Sequence, residues 1–237
     1  MRRAGPKYWR TFAYFIARAF GGYGAALTVT RSRLGGQCFA RPSNSRVGRM
    51  REVATGVWHW KAAHPEWKPG QTWDRMVSSY AVESGEGVLL FDPLDVPAEL
   101  RERASAVVLT CPWHRRHAPQ LGLPIHVPPP DPPDPDPVRG EVFRSGDTLP
   151  FGVRAFEGFE SNDLVLYVES RRAVVVGDTL IDRGNGLQVH PDWPGPGIAA
   201  DEVIHRLRPL LDLPVDVVLP THADPTDRAA LERALSL

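Results

Sequence analysis

Three short apolar runs constrain this chain most, because each stops at residues able to ligate a metal. Ala106-Val107-Val108-Leu109 leads into Thr110-Cys111-Pro112-Trp113-His114-Arg115-Arg116-His117, Ala173-Val174-Val175-Val176 is halted by Gly177-Asp178, and Val215-Asp216-Val217-Val218-Leu219 is closed by Pro220-Thr221-His222. Short β-branched and aliphatic runs bounded by turn residues read as buried strands. Loops at the exits of such strands are where scaffolds usually carry their chemistry. The first of them gathers a thiol, two imidazoles and two guanidiniums between Cys111 and His117. Whether that cluster holds a metal is the question on which function turns.

The intervening segments predict an alternation of sheet and helix. Residues 52–60 alternate apolar with small or polar side chains and read as a first strand. Residues 78–84 and 88–92, joined by Gly85-Glu86-Gly87, have a hairpin pattern, and residues 97–103 allow a short helix before the run at Ala106. His64, Trp67 and Trp73 lie in a Pro- and Trp-rich loop, where they either wall a pocket or, the commoner case, pack the edge of the core. Residues 128–137 hold so many prolines that they favour extended polyproline II, a stiff acidic surface connector. Residues 153–156, 164–168 and 173–176 predict a second sheet. Asp201 is expected to cap a helix with Ile204, Leu207 and Leu211 on one face, shortened by Pro209, and Asp224-Pro225-Thr226-Asp227 to start a terminal helix.

Charge divides the chain in two. Residues 1–50 contain ten Arg or Lys and no acid, leaving 18 basic and 28 acidic residues in 51–237. The organisation predicted is a basic, disordered extension over 1–50 and one domain over 51–237. An acidic body argues against nucleic acid as partner, since phosphate contacts need clustered Lys and Arg. The apolar run near the start is interrupted by Arg18, and the longest uncharged piece, Ala19–Thr30, has 12 residues. That is short of the roughly 20 a membrane-spanning helix needs, so no membrane association is expected, and Met50 stands where a native start would fit. Two cysteines, Cys38 and Cys111, are too few for a disulfide framework, which points to a reducing, cytoplasmic setting.

Taken together, the hairpin at 78–92, the strand and loop at 107–117, the segment Val176-Gly177-Asp178-Thr179-Leu180, and Val218-Leu219-Pro220-Thr221-His222 before a final helix resemble the metallo-β-lactamase fold family over residues 51–237. The resemblance implies an α/β fold, a four-layer αββα sandwich of two mixed sheets flanked by helices, with the metal site along one edge. Members are mostly zinc or iron hydrolases. The family loop is Thr-His-x-His-x-Asp-His. Counted directly from Thr110, its ligand positions fall on Cys111, Trp113, Arg115 and Arg116; with one residue inserted they fall on Pro112, His114, Arg116 and His117. The family's next histidine falls near Phe159. Asp178 corresponds to the metal-bridging aspartate and His222 to the last histidine.

The resemblance thus leaves His114, His117, Asp178 and His222 as metal ligands, enough for at most one zinc or other divalent ion, in a degenerate site. Asp178 and Arg116 are the candidate catalytic residues, with Arg116 or Arg115 filling part of a lost cation's electrostatic role beside Asp178. The function expected is a hydrolase-like protein whose ion activates water against an ester, thioester, lactone or phosphoester-type small-molecule substrate. The alternative is a non-catalytic binding or regulatory protein whose metal-free cleft takes a small anionic ligand through Arg115, Arg116 and His117, beside Cys111. Two further readings use the thiol: Cys111 as a nucleophile with His114 or His117 as base, and a structural zinc knot that lacks a fourth local ligand.

Overall fold

The computed structural model describes residues 48–85, 87–195 and 197–236. The basic segment up to residue 47, with the expectations attached to it, lies outside the described residues. Among those described, no helix is long and apolar enough to cross a membrane.

Seven strands form the first sheet in simple chain order: β1 (Arg51–Ala54), β2 (Val57–Ala63), β3 (Met76–Ser84), β4 (Gly87–Phe91), β5 (Ala104–Val108), β6 (Ile125–Val127) and β7 (Glu141–Val142). The single strand expected over 52–60 is in fact two, because Gly56 adopts φ 72° and reverses the chain between β1 and β2. The hairpin β3–β4 forms as predicted, pairing Tyr80 with Phe91 and Val82 with Leu89. Helix α1 (Ala98–Arg103) then returns the chain so that β5 runs parallel to β4.

The second sheet contains β8 (Thr148–Leu149), β9 (Val153–Glu157), β10 (Leu164–Val168), β11 (Ala173–Val176), β14 (Val217–Pro220) and β15 (Thr226–Asp227), in the order β15-β14-β11-β10-β9-β8. A small hairpin, β12 (Leu180–Asp182) with β13 (Leu187–Val189), follows Asp178.

Period-two alternation distributes the side chains among the layers. Leu164, Leu166 and Val168 point inward to meet Tyr80, Val82, Leu89, Phe91 and Val108 of the first sheet, all 0–1% exposed. Val165 and Tyr167 point the other way, against Val203, Leu207 and Leu231 of helices α2 (Ala200–Leu207) and α3 (Arg228–Ala234). On the far face of the first sheet, Leu90 and Val107 pack on Leu100 of α1. The layers are therefore helix, sheet, sheet and helix, as expected.

Two helix starts differ from expectation. Ala199, not Asp201, is the N-cap of α2, and Asp201 lies in its first turn. Pro209 does end the regular helix, and a 3₁₀ segment, Arg208–Asp212, takes over. For α3 the cap is Asp227, whose carboxylate accepts from the Ala230 N–H at 2.9 Å. Asp224 is drawn instead to Lys61 at 3.1 Å and Arg51 at 3.5 Å, while Thr226 and Asp227 pair with β14.

Candidate metal centre

The parallel pairing β4–β5 and β11–β14 sends four chain exits to one edge of the sandwich, after Phe91, Val108, Val176 and Pro220. Each exit delivers a polar residue. Asp92, with φ 45°, turns its carboxylate inward and is the organiser: it accepts from Thr110 N (2.9 Å), Thr110 Oγ1 (2.7 Å) and Thr221 Oγ1 (3.1 Å), and lies 3.1 Å from His114 Nδ1. Two of the four exits are thereby tied to a third. The Leu164 N–H donates to the Thr110 carbonyl at 2.8 Å, adding β10.

With Nδ1 held by Asp92, His114 presents Nε2 to Asp178, 3.2 Å from Oδ1. His222 presents its own Nε2 to the same oxygen at 3.1 Å, and Trp113 Nε1 donates to the other oxygen, Oδ2, at 2.8 Å. Neither imidazole is aligned as a hydrogen bond, so among the described residues the buried Oδ1 is met by ionic contacts alone. Among the described residues, one group of metal-binding side chains has its ligand atoms within 4.8 Å of one another: Cys111, His114 and Asp178. His222 stands just outside it, adjoining Asp178.

Behind Asp178 lies a second acid. Asp163, fully buried, accepts from the Thr179 hydroxyl and, at 3.4 Å, from the Asp178 N–H. The approach requires glycine at 177, where a Cβ would sit 2.5 Å from Thr110 Oγ1 and 2.8 Å from Asp163 Oδ1.

The electrostatics follow from crowding these groups away from water. Burial alone lowers an imidazole pKa, but Asp178 and Asp92 overcome burial at His114 and raise it to about 9. Burial likewise opposes ionisation of Asp92 and Asp178, yet His114 holds both carboxyls below their ordinary range. Burial, with Asp178 beside it, pushes Asp163 up to about 8, and burial among three carboxylates drives the Cys111 thiol well above its usual value. Burial lowers His222. In the metal-free chain the site's cation is therefore His114.

Arg116 stands near these carboxylates without bonding to Asp178. Its guanidinium is turned behind the site, donating to the carbonyls of Ser78 (2.9 Å) and Asp92 (2.7 Å) and to Ser79 Oγ (3.4 Å), so it pins strands β3 and β4 and makes no hydrogen bond to Asp178. Arg115 points to the proline-rich segment, donating to the Asp136 carbonyl at 3.1 Å and carboxylate at 3.2 Å. His117 is not brought to the cluster. Pro112–Arg115 is a 3₁₀ turn, and Arg116, at φ 35°, reverses the chain, so that His117 Nδ1 accepts from the Asp95 N–H at 3.1 Å. Cys111, Arg115, Arg116 and His117 thus face different partners and form no common cradle for an anion. Phe159, where the family has another histidine, is a fully buried core residue.

Aromatic rings roof the centre. Trp73 and Trp193 meet His222 edge to face, with ring centroids 5.6 and 5.3 Å away. His64 packs edge-on against Trp73 at 5.0 Å, His190 stacks on Trp193 at 4.1 Å, and Trp193 Nε1 donates to Thr72 Oγ1 at 3.1 Å, joining the two roof loops. Trp73 therefore walls the site, whereas Trp67 supports it by donating from Nε1 to the Trp73 carbonyl at 2.9 Å.

Sequence reasoning missed Asp92, Asp163, Trp113, His190 and Trp193 as parts of the centre. An acid directly ending the run Val88–Phe91 was the available signal for Asp92; it reads equally as a turn. Nothing local marks Asp163.

The donor set fits one metal ion. Four ligands about 2.0 Å from zinc lie about 3.3 Å apart, close to the observed separations around Oδ1 and longer than the ~2.7–2.9 Å of a charge-assisted N–H···O bond. Asp92 on His114 Nδ1 is the carboxylate that normally orients a ligating imidazole. Among the described residues a second ion finds no such set, with His117, Arg115, Arg116 and Phe159 all directed elsewhere.

No family model and no curated protein matches the sequence. Solved structures do match in shape. The metallo-β-lactamase from Pontibacter korlensis superposes with a TM-score of 0.58 at 16% identity, covering 80% of this chain and 97% of that one. DIM-1 metallo-β-lactamase exposed to ceftazidime gives 0.62 at 14%, covering 80% and 95%. TTHA1623 in a di-iron-bound form gives 0.52 at 25%, covering 71% and 96%. The two sheets and their flanking helices match the architecture of these neighbours across most of the chain: the chain has the metallo-β-lactamase fold.

Proposed function

We propose that this chain is a hydrolase-like protein that works with a single divalent ion and acts on an ester, thioester, lactone or phosphoester-type bond. The observation that carries the reading is the buried Oδ1 of Asp178, which among the described residues accepts no aligned hydrogen bond, is faced by two imidazole nitrogens at 3.2 and 3.1 Å, and is grouped with the Cys111 thiol. In the metal-free chain the raised His114 imidazole balances this carboxylate, and a divalent ion would take that place by displacing the proton on His114 Nε2. A divalent ion bound there supplies Lewis acidity and a nucleophilic water at neutral pH.

The chain's own residues divide the remaining work. Asp92 fixes the ring of His114, and Trp113 fixes the rotation of the Asp178 carboxylate. Asp163 and Thr179 hold the backbone behind it. Trp73 and Trp193 exclude bulk water from above, which strengthens every charge interaction beneath them.

The same roof favours a second reading, in which the ion is held without turnover and the fold serves as a binding protein. One experiment separates them. The chain is purified without chelator, its metal content measured, and hydrolysis of chromogenic esters, thioesters and phosphodiesters followed with and without added zinc. Zinc-dependent turnover lost in Asp178→Ala supports the hydrolase; stoichiometric metal with no turnover across these classes supports the second reading; no metal after zinc loading overturns both.

A further inference from the structure

We infer that the ion is anchored by Cys111, His114 and Asp178, and that His222 is the exchangeable fourth ligand whose departure opens the coordination position a substrate or water needs. The inference rests on the proposed single-metal site and assigns a different part to each donor.

The anchors are rigid. Cys111 is fully buried at the exit of β5, and its Sγ shares a 4.8 Å sphere with the ligand atoms of His114 and Asp178. His114 is 5% exposed, and its second nitrogen faces the Asp92 carboxylate. Asp178 is 7% exposed, with Oδ2 fixed by the Trp113 indole and its N–H facing Asp163. A thiolate, an imidazole and a carboxylate would leave one position on a tetrahedral ion, the arrangement of catalytic zinc sites, and sulfur donation favours zinc or cobalt over manganese or magnesium.

His222 is held differently. It approaches Asp178 at 3.1 Å but does not join the three-donor group. Its other nitrogen, Nδ1, is buried with no hydrogen-bond partner among the described residues, so none of these plays for His222 the part that Asp92 plays for His114. Apart from Asp178, it meets the rings of Trp73 and Trp193 edge to face and the tilted ring of His114 at 6.0 Å. These two indoles belong to different loops, joined through Trp193 Nε1 and Thr72 Oγ1. Parting them removes the packing that keeps His222 over the centre. Binding releases two protons to solvent, one from the Cys111 thiol and one from His114 Nε2, while His114 keeps its Nδ1 proton toward Asp92.

Cobalt(II) alone is the probe, titrated into the metal-free full-length chain and into two variants. The wild type is expected to bind one cobalt with a sulfur-to-cobalt charge-transfer band. His222→Ala should keep that band and lose no more than about tenfold in affinity, with added imidazole restoring the wild-type visible spectrum. Cys111→Ser should lose the band and more than about a hundredfold in affinity. X-ray absorption on the zinc-loaded wild type asks the same question without a variant: a Zn–S distance of about 2.3 Å is expected. Cobalt or zinc bound without sulfur, or an affinity loss in His222→Ala as large as in Cys111→Ser, overturns this assignment while leaving a metal site standing. Absence of any metal binding overturns both it and the proposed function.

Discussion

The two sheets meet at the site with unequal firmness. At the end of the first sheet, Asp92 gathers Thr110, His114 and, across the gap, Thr221, while Arg116 clamps the Ser78 and Asp92 carbonyls. At the end of the second, Asp178 is well supported, but His222, besides its approach to Asp178, has no hydrogen-bond partner for Nδ1 among the described residues and is flanked by two indoles. Hydrogen bonds to a buried charge hold geometry to tenths of an ångström, whereas edge packing of rings tolerates displacement. The difference teaches that a metal site can be precise on one side and yielding on the other, and that the yielding side is where ligand exchange belongs.

The largest expected effect strikes the firm side. Asp92→Ala strands the Thr110 N–H, two hydroxyls and the His114 imidazole in a buried space, and should cost about 3–5 kcal/mol in urea denaturation. His222→Ala, which removes no aligned hydrogen bond, should cost only about 1 kcal/mol by the same measurement. Equal losses in the two variants would erase the comparison.

Gly177→Ala comes next. Its Cβ would meet Thr110 Oγ1 at 2.5 Å and Asp163 Oδ1 at 2.8 Å, wedging the two sheet ends apart, and should cost about 1–3 kcal/mol together with metal affinity. Denaturation and cobalt titration of one preparation test both halves of that statement.

The smallest effect concerns the seam beside the site. His59 Nδ1 accepts from Arg51 at 3.4 Å, its Nε2 lies 2.9 Å from Ser78 Oγ, and that hydroxyl donates to the Ala223 carbonyl at 2.7 Å, linking β2 to the loop after His222. Burial, reinforced by Arg51, lowers the His59 pKa to about 4. The folded chain therefore binds fewer protons here than the unfolded one between pH 6.5 and 4, and this contribution to stability falls as pH drops through that window. His59→Gln should flatten the decline of melting temperature over the same range; an unchanged slope would mean that the seam does not titrate.

The comparison also explains what could be read from the sequence. The hairpin β3–β4 and strands β9–β11 were legible because alternation and short continuous apolar runs are local properties, the latter as in Leu164 to Val168. The strand ends carrying His114, Asp178 and His222 were legible for the same reason. Ring direction was not. His114 and His117 are three residues apart in one loop, yet the positive φ of Arg116 sends the second to Asp95. Arg116 looked like a partner for Asp178 because both are charged, but the Ser78 and Asp92 carbonyls claim it through long-range pairing. Asp224 carried every local mark of a helix cap until Lys61 and Arg51, far away in sequence, drew it off. Asp163 acquires its importance only when β10 and β11 lie side by side.

The claim that joins these observations is that the edge of the sandwich holds one metal ion. Native mass spectrometry of the chain, purified without chelator and loaded with zinc, measures it directly. The account predicts one zinc per chain, lost in His114→Ala; a mass corresponding to no zinc, or to two, would contradict it.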